Sequence, residues 1–113
     1  MILRLTIDGV ARLDDARDFK RLHCEIDLPR QSLALAQTQL GPAARLDGAD
    51  IAWIDVAWLR HQAPEPDASA WLAQLNQMLA KARPYGWVSE DGLHVKAHVV
   101  WPAASPSPLP ISA

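Results

Sequence analysis

The chain has 113 residues, half of them hydrophobic and about a fifth charged, which is the composition of one globular domain and excludes a disordered polymer. Its formal charge of −2 and the lack of any Lys/Arg run exclude a basic nucleic-acid surface, and a single cysteine, Cys24, excludes an intrachain disulfide or thiolate cluster. No apolar run approaches the ~18 residues that span a bilayer, and the opening MILRLTIDG lacks the apolar core of a secretory signal, so a soluble, cytoplasmic protein is expected.

Residues 2–8 alternate Leu3, Leu5 and Ile7 with Arg4, Thr6 and Asp8, which predicts a first strand ended by Gly9. Arg12, Asp14, Asp15, Arg17 and Asp18 then read as a solvated, mixed-charge segment. Residues 19–28 fit two patterns. Leu22, Cys24, Ile26 and Leu28 alternate as in a strand, whereas Phe19, Leu22 and Ile26 fit a helix capped at Asp14 or Asp15. The tidier period favours the strand.

Pro29 suits the start of a helix over residues 30–40, stopped by Gly41-Pro42, and residues 42–49 read as a loop. Residues 50–60, DIAWIDVAWLR, are apolar on both faces of an extended chain, with Asp55 the one interruption; such a strand is covered on both sides. Residues 67–83 carry Trp71, Leu72, Leu75, Met78, Leu79 and Ala82 on one helical stripe. Asp67 is placed to cap that helix, and Pro84 and Gly86 to end it. After a short strand near residues 86–89 and an Asp91-Gly92 turn, Leu93, Val95, Ala97, Val99 and Trp101 alternate with polar residues as the second strand of a hairpin. Residues 102–113, rich in proline and serine, read as a flexible tail after a single domain over residues 1–101; no repeat or second domain stands out.

His94 and His98 invite a metal reading, but residues four apart on a strand are about 13 Å apart at ~3.3 Å per residue, and Lys96 lies between them. No metal is expected, and His94 and His98 read as a polar or partner-binding sheet face. Asp55, a carboxylate in an apolar strand, is the one weak catalytic candidate, since desolvation raises a carboxyl pKa toward acid–base use. Trp53 and Trp58 lie an odd number apart, so on one strand they face opposite ways, and one of them needs a cover beyond the main core. With Trp101 they form the candidate ligand- or partner-binding set. Phosphate loops, dinucleotide fingerprints, nucleophile elbows and metal motifs are missing, so no cofactor is expected.

The order of elements, with Ile7-Asp8-Gly9 near the start and Leu28-Pro29 before residue 30, resembles that of barstar-like nuclease inhibitors. The Gly-Asn-Asp motif of that family is replaced by PRQSLALAQTQLG, so the resemblance implies topology and extends to nuclease inhibition by analogy alone. The reading as a whole is an α+β two-layer sandwich: a mainly antiparallel sheet of four or five strands, a long helix over 67–83 and a shorter one over 30–40. The expected role is a non-catalytic interaction or accessory domain that associates with itself or a protein partner, with no nucleic acid and no membrane. The alternative is a small cofactor-independent enzyme or ligand binder with a cleft near Asp55.

Overall fold

The computed structural model describes residues 1–101. It is an α+β fold built on one mixed six-stranded sheet, curled into a half-barrel, with two longer helical segments of 14 and 18 residues (30–43 and 68–85, their 3-10 turns included) and one short helix. The strands are β1 (Ile2–Leu5), β2 (Ala11–Asp14), β3 (His23–Ile26), β4 (Ala44–Asp47), β5 (Ile51–Asp55) and β6 (His94–Val100). Their order across the sheet is β2-β1-β3-β6-β5-β4. Pairings β1–β3 and β3–β6 are parallel; β1–β2, β4–β5 and β5–β6 are antiparallel.

The sheet therefore has more strands than the four or five expected, and it is mixed. The additional strands lie at its two edges. β2 occupies the stretch read as a solvated charged segment, and β4 the stretch read as a loop. Both have the sequence Ala-Arg-Leu-Asp, four residues long. One such tetrapeptide has too few apolar positions to reveal a period, and its charges dominate the reading. Those charges suit an edge, because short charged edges resist pairing with another chain. Gly9, at φ +85°, makes the β1–β2 turn, where the Thr6 N–H donates to the Val10 carbonyl at 2.9 Å.

On the inner face Leu3, Leu5, Cys24, Ile26, Ala52, Ile54, Val95, Ala97 and Val99 form one core. Residues 23–26 take the strand reading, with Cys24 and Ile26 inward. α1 (Leu33–Leu40), preceded by a 3-10 turn over Arg30–Ser32, adds Ala36 and Leu40 to that core. Gln37 ties it to β4: its Nε2 donates to the Ala44 carbonyl at 3.0 Å and its Oε1 accepts the Leu46 N–H at 2.6 Å.

The apolar run 50–60 is not one strand. β5 ends at Asp55, whose carboxylate accepts the Trp58 N–H at 2.8 Å and caps α2 (Val56–Arg60). Beyond the cap Val56 and Leu59 recur at helical spacing and are buried. Trp53 thus lies on the sheet and Trp58 on a helix, which removes the argument that they face opposite ways along a single strand. Asp55→Ala is expected to cost about 1 kcal/mol, the usual value of an N-cap, measured by urea denaturation. No measurable change would mean that the cap is idle.

α3 (Ala68–Ala82) matches the expected long helix, with Trp71, Leu75 and Ala82 buried. Its expected cap is corrected. Asp67 stands at the N-cap, but its carboxylate makes no capping bond and instead accepts from Arg17 Nη1 and Nη2 at 2.6 and 2.8 Å. The bidentate fork to a guanidinium is a stronger use of both oxygens than one backbone N–H. A 3-10 turn over Arg83–Tyr85 and Gly86, at φ +76°, complete the stop. Of the expected strand near 86–89, only a bridge between Val88 and Val95 forms, and Leu93 lies exposed before β6 begins. Residues 102–113, read as a tail, lie outside the described residues. Among the described residues, no helix is long and apolar enough to cross a membrane.

Candidate functional site

The residues singled out in the sequence are dispersed. Asp55 sits beside His94 in the β5–β6 register, yet its carboxylate is engaged at the start of α2. His94, Lys96 and His98 lie on the outer face of β6, with His98 beside His23 of β3. The Trp53 indole reaches Asp47 at 3.5 Å, Trp58 is half-buried on α2, and the Trp101 indole N–H donates to the Ala49 carbonyl at 2.7 Å. That last bond fastens the end of β6 to the turn between β4 and β5. Among the described residues, no group of three or more His, Cys, Asp or Glu is placed to hold a metal ion.

Across β2, β1 and β3 the outer face carries an ion-pair chain. Arg4 bonds Asp14 and Glu25, each at 2.7 Å, and Glu25 bonds His23 at 2.8 Å. The Arg4 guanidinium holds Asp14 below the usual carboxylate range; for Glu25 the His23 contact is the larger cause and Arg4 adds to it. Arg12 lies opposite Arg4 in the register, and Asp14 bridges the two cations. This chain offsets what would otherwise be a like-charge cross-strand pair.

Among the described residues a groove opens elsewhere, and its origin lies in the pairing of β6. On the edge away from β5, β6 has two successive neighbours. Val88 lies opposite Val95, where the Lys96 N–H donates to the Trp87 carbonyl at 2.6 Å; His23 of β3 lies opposite His98. Where one neighbour hands over to the other, the sheet opens into a groove of about 660 Å³. Its walls come from the segment leading into β3, from the last turns of α3 and from the stop that follows. Phe19, Leu22 and Met78, all half-buried, make its apolar floor. A side pocket of about 210 Å³ continues along α3 past Gln74 and Gln77.

One wall of the groove is an aromatic pair. Tyr85 and Trp87 flank Gly86 and stack at 5.0 Å between ring centroids, 26° from parallel. They are 71% and 49% exposed, so both rings lie outside the core. Deeper in, Phe19 packs against Trp71 at 5.7 Å. The charged groups of the lining are Lys20, Arg21, Lys81 and Lys96, with no carboxylate among them. Nor does the lining contain serine, cysteine or histidine, so it holds no imidazole base and no Ser- or Cys-type nucleophile.

None of the sequence candidates lines this groove. The signal that marks it is Pro84-Tyr85-Gly86-Trp87. Two aromatics straddling the glycine of a helix stop cannot both enter a core that the helix stripe already fills. No protein-family model, no curated protein and no solved structure matches the chain.

Proposed function

We propose that this protein is a non-catalytic binding domain whose working site is the groove beside β6. The observation that supports the reading most is the exposed Tyr85–Trp87 stack forming the wall of a cavity of about 660 Å³. That volume falls within the ~300–1,000 Å³ of small-ligand sites. Stacked rings left to water are a ready platform for a flat apolar group. A lining without carboxylate, imidazole, serine or cysteine supports holding a ligand over transforming it, and Asp55 is not part of that lining.

The test uses N-phenyl-1-naphthylamine, an uncharged probe that fluoresces in apolar surroundings. Saturable uptake by the native protein is expected, with Trp87→Ala and Tyr85→Ala each weakening it about tenfold, on the order of one aromatic contact. Both residues are exposed, so the variants keep their fold, which circular dichroism checks. Absence of uptake up to the probe's solubility, or uptake indifferent to both substitutions, rejects the groove as the working site.

A further inference from the structure

We infer that the groove selects an amphipathic anion: a planar apolar body bearing one acidic group. The inference rests on the groove being the binding site and adds the chemistry of what it takes.

The whole chain carries −2, yet Lys20, Arg21, Lys81 and Lys96 all line one cavity and no acidic residue does. Elsewhere the cations are mixed: Arg45, Arg60 and Arg83 form no ion pair among the described residues, but they do not share one cavity. Arg4, Arg12, Arg17 and Arg30 each bond a carboxylate, whereas none of the four groove cations forms an ion pair among the described residues. Four like charges around one concave space raise the local potential, and low-dielectric walls focus it. The C-terminal end of α3 opposes this with roughly half a negative charge, which the four full cations outweigh.

Geometry then assigns the two ends of the ligand. Phe19, Lys20, Met78 and Lys81 line both the main groove and its side pocket, so they mark the junction of the two. Lys20 and Lys81, both exposed, line that junction, one from the segment before β3 and one from α3. An acidic group held there leaves the planar body to lie along the Tyr85–Trp87 stack. The aliphatic stems of the two lysines extend the apolar surface up to the charges. An uncharged ligand would use only the stack; an acidic one uses both.

The experiment compares two probes of nearly the same shape. 1-Anilinonaphthalene-8-sulfonate carries a sulfonate that N-phenyl-1-naphthylamine lacks. At low salt the anion is expected to bind about tenfold tighter than the neutral analogue. Lys20→Gln and Lys81→Gln should each weaken the anion about two- to fivefold, the range of exposed charge pairs, and leave the neutral probe unchanged. Raising salt toward 1 M, where screening acts within ~3 Å, should erase the anion's advantage. Both lysines are exposed, so the thermal midpoint should not move. Equal affinities, or lysine variants that affect both probes alike, would overturn the anion preference while leaving the groove as a binding site. Failure of both probes would remove the groove itself. Sedimentation velocity with and without probe supplies the last arm: a dimer that the probe disperses would give the groove to a second copy of the chain and overturn the inference.

Discussion

Replacing Trp71 with alanine is expected to lower the unfolding free energy by about 3–5 kcal/mol, the range for deleting a large buried aromatic. Trp71 is 2% exposed and lies on the inward stripe of α3. Its indole N–H donates to the Ala16 carbonyl at 2.7 Å, and its ring meets Phe19. One side chain thus fastens the long helix to the segment between β2 and β3, far away in sequence. A domain with an ordinary stability of about 5–15 kcal/mol would lose a large share of it. Trp71→Phe should cost less, about 1–3 kcal/mol, chiefly because the Ala16 carbonyl is left without its donor. Urea denaturation followed by circular dichroism measures both. A loss below about 1 kcal/mol for the alanine variant would mean that the helix does not depend on this anchor. Because Phe19 also forms the groove floor, the same variant should weaken uptake of the neutral probe.

The second large effect concerns Cys24. Its thiol is fully buried on the inner face of β3, and its pKa is pushed up from the ordinary 9.0 to about 12, first by desolvation and then by the Glu25 carboxylate. The thiolate is the reactive form. At pH 8 the native protein should therefore react with a disulfide reagent at least ~10³-fold more slowly than the unfolded chain, from thiolate fraction alone. Burial slows it further, so the observed rate should report opening of the sheet. The sign with pH is fixed by the same shift. The folded state holds the proton longer, so the contribution of Cys24 to stability is intact below about pH 9. It falls as pH rises toward 12, where only the unfolded chain has released the proton. Rapid native labelling at pH 8 would place Cys24 outside the core.

These two residues illustrate what the amino-acid order made legible. The stripe of α3 and its Pro-Gly stop are written over many residues, so Trp71 could be assigned to a buried face from periodicity alone. Residues 19–28 carried both periods, and parallel pairing of β3 with β1 and β6 decided between them; no local signal reports a neighbour that is parallel and distant. Asp55 looks like an intrusion in a strand because an N-cap and a buried carboxylate look alike when the helix that follows is only five residues long. The edge strands escape the sequence for a related reason: four residues carry too little pattern. The groove was hidden more deeply. Lys20, Lys81, Tyr85 and Lys96 belong to separate segments, and only the change of neighbour along β6 brings them around one space.

That position of β6 bears on how the polypeptide is made. The last described strand in the chain is inserted between β3 and β5 in the interior of the sheet. Before it arrives, β2-β1-β3 and β4-β5 are two fragments with no pairing between them. Each has an unsatisfied inner margin. During vectorial synthesis the nascent chain must carry both margins until residue 100 has left the ribosome, which makes closure a late and long-range event. Over that interval the margins of β3 and β5 are the surfaces through which nascent chains would join one another, and chaperone capture would act there.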